Sequence, residues 1–238
     1  MRKLQIPPAD SLIASILNPV YPSECPFCGR PPGSFRLSPI CPDCFRSIER
    51  YDGPSCRLCA APLPSEYGRL CGVCLKERPS FSRAICFGLY ENALKEAINQ
   101  LKFHGAKRLS GPLGKLLLRV DLPPADCIVP VPLESHGLRE RGFNQTLLLS
   151  RVLSKATGIP VKTGVLYKTR RTLPQVGLSR AERAANLKGA FAVRGRLDGK
   201  KVILLDDVMT TGTTLRECSK ALLRAGAGEV VGLTLARA

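Results

Sequence analysis

Four C-x-x-C pairs crowd the first third of the chain: Cys25/Cys28, Cys41/Cys44, Cys56/Cys59 and Cys71/Cys74. Disulfide frameworks rarely use such regular spacing, and thiols arranged this way in a reducing compartment read as metal ligands, with a redox pair as the alternative. Twelve residues separate the first two pairs and eleven the last two. That suits two small ribbons, each clamping one tetrahedral Zn2+ between two knuckles. Sequential pairing, 25/28/41/44 and 56/59/71/74, is the simplest arrangement, and interleaved ligation stays open. The surrounding segment is rich in Cys, Pro and Gly and poor in Val and Ile, so apolar burial alone cannot fold it. Zinc supplies on the order of 10 kcal/mol per ribbon at neutral pH. Four thiolates close the coordination sphere, which makes these sites structural. We therefore expect a zinc-ribbon domain over residues 1–80. The remaining Cys86, Cys127 and Cys218 stand singly in apolar contexts and read as small core residues.

Thirty-six Lys plus Arg against nineteen Asp plus Glu give a formal charge of +17, and eight thiolates holding two dications still leave +13. Such a surface favours polyanionic partners: nucleic acid, phosphorylated metabolites or anionic lipid. No apolar run approaches the roughly 18 to 20 residues of a membrane helix. The basic amino end is interrupted early by Pro7, Pro8 and Asp10, unlike a secretory signal. The expectation is a cytoplasmic protein without membrane insertion.

From residue 81 to 238 the texture becomes α/β. SRAICFGLY, DCIVPVP, VLYKT, KVILLDD and EVVGLTLAR read as strands. Between them ENALKEAINQLKF, RLSGPLGKLLLRV, FNQTLLLSRVLSKATG and TTLRECSKALLRAGA carry helical spacing. Gly158 marks one helix end, and S-x-x-E from Ser179 to Glu182 is a capping box. Apolar strands alternating with helices predict a mainly parallel sheet flanked by helices, with ligands beyond the strands' carboxyl ends.

KKVILLDDVMTTGTTL, residues 200–215, fits that edge. A sheathed strand delivers Asp206 and Asp207, adjacent carboxylates that need a diol, a metal or a basic neighbour. Thr210, Thr211, Gly212, Thr213 and Thr214 follow just before a helix, where successive N–H groups and hydroxyls cradle a phosphate. Hydroxyls at the acids and phosphate at the loop describe a ribose 5-phosphate.

This stretch resembles the phosphoribosyl pyrophosphate (PRPP) motif of type I phosphoribosyltransferases. The resemblance implies that Asp206 and Asp207 hold the ribose hydroxyls and that residues 210–214 bind the 5′-phosphate. A second constellation, VPVPLESHGLRERGFNQTLLLS, enters a helix through Arg139, Arg141, Gly142, Phe143, Asn144 and Gln145. Paired guanidiniums at Arg139 and Arg141 suit a pyrophosphate. Together with YENALKEAINQLKFHG, RTLPQVGLSRAERAANLKGAF and the four C-x-x-C pairs, it resembles the ComF family of competence proteins, from about Cys25 to Arg237. That resemblance implies a phosphoribosyltransferase-like protein of natural transformation, beside a ComFA-type helicase. It also implies binding of PRPP, with Mg2+ neutralising its charge, and of single-stranded DNA.

Three readings remain: a binding module for PRPP and DNA, an active phosphoribosyltransferase with a nitrogen acceptor, and a salvage enzyme with an added ribbon. In the active case Asp206 and Asp207 are the catalytic positions that orient ribose. Weaker candidates are Lys102 and His104 for pyrophosphate, and Arg170, Arg171, Gln175, Arg180, Arg183 and Asn186 in a segment that covers the site in related enzymes. Arg36, Arg46, Arg50 and Arg57, interspersed with Phe27, Phe35, Phe45 and Tyr51, make the ribbons candidates for single strands.

Overall fold

The computed structural model describes residues 24, 25, 27–30, 40–133, 138, 141–172 and 179–238. Its centre is a four-stranded sheet built from β1 (Arg83–Leu89), β2 (Cys127–Pro130), β5 (Lys201–Met209) and β6 (Glu229–Arg237), in the order β1-β6-β5-β2. All three pairings are parallel, with Leu205 opposite Leu233 and Pro130 opposite Leu205. Val202 to Leu205 are buried on both faces, which is why this strand reads as an unbroken apolar run. An isolated parallel bridge from Ile128 to Val161 continues the sheet beyond β2.

Helices α3 (Asn92–Phe103), α4 (Ser110–Leu116) and α5 (Gln145–Thr157) belong to one face, with Leu94, Ile98, Leu101, Leu113, Leu149 and Leu153 clustered on Ile203, Leu205 and Leu235. Helix α7 (Thr213–Arg224) lies on the other, where Leu215, Cys218 and Leu222 meet Val202, Leu204 and Val230. RLSGPLGKLLLRV forms less α-helix than its pattern predicts: α4 is flanked by 3-10 turns at Lys107–Leu109 and Leu117–Arg119. Gly114, which weakens the helix locally, is there for packing. A Cβ on it would lie 2.6 Å from Val152 Cβ, so the glycine lets α4 and α5 approach closely.

VLYKT forms a strand outside the central sheet. β3 (Leu166–Lys168) pairs antiparallel with β4 (Phe191–Val193), a three-residue strand that the pattern does not announce. Between them runs α6 (Arg180–Leu187), opened by the predicted reciprocal cap of Ser179 and Glu182.

Short helices α1 (Pro42–Arg46) and α2 (Gly72–Lys76) begin just after Cys41 and Cys71 and carry Cys44 and Cys74. The ribbons pack directly on the α/β body. Cys25, Cys41, Cys44 and Ile48 join the apolar cluster of α3, and Cys56, Cys59, Cys74 and Phe81 join that of α7. Backbone contacts reinforce this, with Tyr51 N–H donating to the Phe87 carbonyl at 3.0 Å and Ala84 N–H to that of Leu58 at 2.8 Å.

Candidate functional site

The eight cysteines converge in two groups, Cys25/Cys28/Cys41/Cys44 and Cys56/Cys59/Cys71/Cys74, each with its sulfurs within 4.8 Å of one another. The pairing is sequential. Zinc–sulfur bonds of about 2.3 Å in a tetrahedron place sulfurs about 3.8 Å apart. Cys28 and Cys41 Sγ are separated by 3.7 Å, and Cys59 and Cys71 Sγ by 3.6 Å, so both donor sets fit a structural zinc ion. At the first, the backbone N–H and then the side chain of Arg30 bring the Cys28 thiol down to about 6, toward the thiolate that binds metal.

At the carboxyl edge of the sheet, β5 runs through both acids to Met209 rather than ending at them. Strand alternation turns the two carboxylates to opposite faces. Asp207 is buried on the α3/α5 side. Its Oδ1 meets Lys102 Nζ at 2.7 Å, and its Oδ2 accepts from Gln145 Nε2 at 2.7 Å. Asp206 accepts from the Asp207 N–H at 2.9 Å, and no ion pair reaches it among the described residues. Burial first, and then the Asp207 charge, push its carboxyl from 3.8 up to about 7.

Asp206 therefore holds its proton in the folded chain across a range where the unfolded chain has lost it. Its contribution to stability falls as pH rises from about 4 to about 7, by up to about 1.4 kcal/mol per pH unit. Asp206→Asn is expected to match the parent in urea denaturation near pH 4 and to exceed it above pH 7. A pH-independent difference would show that the acid ionises without cost.

The turn after Met209 carries Thr210, Thr211 and Gly212, and Thr213 and Thr214 begin α7. Gly212 is left-handed, with φ +77°, a conformation that favours glycine, and the only atom a Cβ there would crowd is the mobile end of the Met209 side chain, Cε at 2.6 Å. The hydroxyls of Thr211 and Thr213 are 2.8 Å apart, and the Thr210 hydroxyl accepts from Arg183 of α6 at 3.0 Å. The N–H groups of the first turn of α7, of which Thr213 donates weakly to the Thr211 hydroxyl at 3.4 Å, add a partial positive charge at this turn.

Arg141 stacks its guanidinium 5.1 Å from the centre of the exposed Phe103 ring, at the end of α3, adjacent to Lys102. Lys107 sits similarly over Phe143. Asn144 caps α5 by accepting from Thr146 N–H, which holds Gln145 in the first turn, facing Asp207. Arg139 and Gln175 lie outside the described residues, as do Phe35, Arg36 and the side chain of Arg180. Arg170 is committed to the carbonyls of Asn186 and Lys188, Arg171 is exposed, and so is His104 at the end of α3.

Among the described ribbon aromatics, two are engaged internally and two, Phe27 and Tyr67, are exposed. Phe45 packs on the core, the Tyr51 hydroxyl donates to Pro54, and Arg46 and Arg50 pair with Asp43 and Asp52, while Phe27 is exposed. Sequence reasoning missed the bond from Gln145 to Asp207 and the closure of Lys102 on the same carboxylate. The only local signal was the amphipathic pattern of α3, which places Lys102 beside the buried Leu101.

Fold and site together define a phosphoribosyltransferase-like α/β protein bearing a double zinc ribbon. Residues 16–86 match the double zinc ribbon domain and residues 147–237 the phosphoribosyl transferase domain. Competence protein F of Haemophilus influenzae is 35% identical over 212 residues, covering 84% of this chain and 90% of that protein. DNA utilization protein YhgH of Escherichia coli K12 is 36% identical over 200 residues, covering 80% and 87%. Competence protein ComFC of Bacillus subtilis is 26% identical over 223 residues, covering 85% and 87%. The chain belongs to the competence protein F family. Among the described residues no helix is long and apolar enough to cross a membrane.

Proposed function

We propose that this chain serves competence and DNA use as a PRPP-binding protein of the cytoplasm that also holds single-stranded DNA. One observation carries the reading: an acid pair on a central parallel strand leads directly into a glycine-pivoted threonine turn at a helix amino end. Phosphate at Thr210, Thr211, Gly212, Thr213 and Thr214 satisfies the open N–H groups, and ribose hydroxyls meet the acids. Arg141, with Arg139, takes the pyrophosphate. Asp206 is the carboxylate open to a Mg2+ arriving with PRPP, because Asp207 is engaged by Lys102 and Gln145. A nearby dication would also favour the ionised form of Asp206.

The net charge of +17 supports a polyanionic second partner, and a relative named for DNA utilization supports reading that partner as DNA. A ComFA-type helicase is the protein partner this reading calls for. On this reading the domain boundary lies near residue 80, between a zinc-ribbon domain (1–80) and a phosphoribosyltransferase-like domain (81–238).

Calorimetric titration of the zinc-loaded chain with PRPP and Mg2+ tests the pocket. Binding is expected in the parent and loss in the Asp206→Ala/Asp207→Ala variant, with zinc content unchanged. Equal affinity in both proteins would sink the assignment.

A further inference from the structure

The second zinc ribbon is tied to the threonine turn by two arginines that the site itself does not use. Arg237, near the end of β6, donates Nη1 to the Met209 carbonyl at 3.0 Å and Nε to the Cys59 carbonyl at 3.3 Å. Met209 is the residue immediately before Thr210, and Cys59 is a ligand of the second zinc set. One guanidinium therefore joins the backbone of a metal ligand to the root of the turn.

Arg216, in the first turn of α7, makes the second tie. It donates Nη1 to the Arg78 carbonyl and Nη2 to the Glu77 carbonyl, both at 3.1 Å, and lies 3.6 Å from the Glu77 carboxylate. Glu77 and Arg78 are the residues that leave α2, the helix carrying Cys74. The Arg216 side chain is only 12% exposed, so it has left water and relies on these acceptors.

Apolar packing fills the space between the ties. Cys56, Cys59 and Cys74 belong to the same buried cluster as Met209 and Leu215, the residues that bracket the turn. The Met209 carbonyl also accepts from the Ala238 N–H at 3.0 Å, so the backbone one residue before Thr210 is held from β6 at two points. The contacts thus run from zinc ligand to the root of the turn: Cys59 carbonyl, Arg237, and the Met209 carbonyl, one residue before Thr210.

We infer that Arg237 and Arg216 are positioning residues that make the second ribbon and the threonine turn one cooperative unit. Zinc at Cys56, Cys59, Cys71 and Cys74 and a phosphate-bearing ligand at residues 210–214 then bind with positive coupling. Without zinc the Cys59 and Glu77 carbonyls lose their fixed positions, and both arginines lose the acceptors that hold β5 and α7 at the turn. By linkage, a ligand that fixes the turn must raise zinc affinity by the same factor. The ligand half of this inference rests on the reading of the turn as a phosphate site. The half concerning turn conformation does not.

The test uses the full zinc-loaded chain and its Arg237→Met variant, each confirmed to hold two zinc ions. In chelator competition, saturating PRPP with Mg2+ is expected to raise the chelator needed to strip one of the two ions by roughly 5-fold or more. The other ion should be unaffected. In the variant the PRPP effect should shrink to within about twofold, and Arg237→Lys, which keeps one donor group, should restore part of it. PRPP that binds calorimetrically without changing the demand for chelator at either ion would overturn the inference while leaving the pocket intact.

A second readout is independent of PRPP. Hydrogen exchange of the amides that pair at the turn, Arg216 N–H on the Gly212 carbonyl and Ala238 N–H on the Met209 carbonyl, is expected to speed up roughly 5-fold or more in Arg237→Met, with the interior of β5 still protected. Unchanged exchange at the turn would also overturn the inference. If the parent fails to bind PRPP, the pocket assignment falls, and this exchange comparison decides the coupling by itself.

Discussion

Replacing Cys44 with serine is expected to cut the zinc content from two ions per chain to one and to melt the first ribbon. A serine hydroxyl does not ionise near neutral pH, so the site is left with three thiolates and no fourth charge donor. Structural zinc contributes on the order of 10 kcal/mol, comparable with the whole stability of a typical domain. The loss should also spread. Cys25, Cys41, Cys44 and Ile48 are packed with Leu94, Ile98 and Leu101 of α3 in one cluster. Elemental analysis should find one zinc, and hydrogen exchange should show residues 40–48 unprotected and α3 weakened. The β5 core, packed on the opposite side by α7, should stay protected. A full complement of zinc in the variant would remove Cys44 from the ligand set.

The contrast between α3 and β4 shows what the sequence could reveal. α3 announces itself because Leu94, Ala97, Ile98 and Leu101 recur at helical spacing, and the structure buries all four. Ser179 and Glu182 did so through a cap that needs only four consecutive residues. β4 has three residues, too few for any periodicity, and exists because Phe191 finds Lys168 across a hairpin whose arms enclose α6. The order β1-β6-β5-β2 is likewise non-local, since each strand carries the same apolar run and none records its neighbour.

The candidate site divides in the same way. Asp206, Asp207 and the threonine turn are contiguous, and all of their chemistry lies within nine residues. Lys102 and Gln145 reach Asp207 from α3 and α5, across sequence separations that no local pattern spans. Arg216 and Arg237 are more hidden still. Arg216 reads as an ordinary surface charge on an amphipathic helix and Arg237 as the polar end of a buried strand, yet each donates to ribbon carbonyls more than 100 residues earlier in the chain. What the sequence shows is which groups are present at the sheet edge, and what it leaves out is which of them are already spoken for.

That distinction has its largest consequence at Lys102. Lys102→Met is expected to destabilise the chain by about 3–5 kcal/mol, because it leaves the buried Asp207 carboxylate without its counter-ion. Among the described residues, only the Gln145 amide would remain to donate to it. The complementary change, Asp207→Asn, should cost less. Lys102 is 16% exposed against 6% for Asp207, and a freed ammonium on a four-carbon stem can turn to water, whereas the aspartate cannot. Combining Lys102→Met with Asp207→Asn removes both charges, so the double variant should recover much of the loss that Lys102→Met causes alone. Urea denaturation of the four proteins at neutral pH measures these differences, and additive effects would mean that the pair does not interact. The same set separates stability from binding. A double variant that folds nearly as well as the parent but no longer binds PRPP would show that the pair is retained for its ligand, held as an ion pair until pyrophosphate offers Lys102 a second anion. A double variant that folds and binds normally would leave ligand binding to Asp206, the threonine turn and the arginines, without the pair.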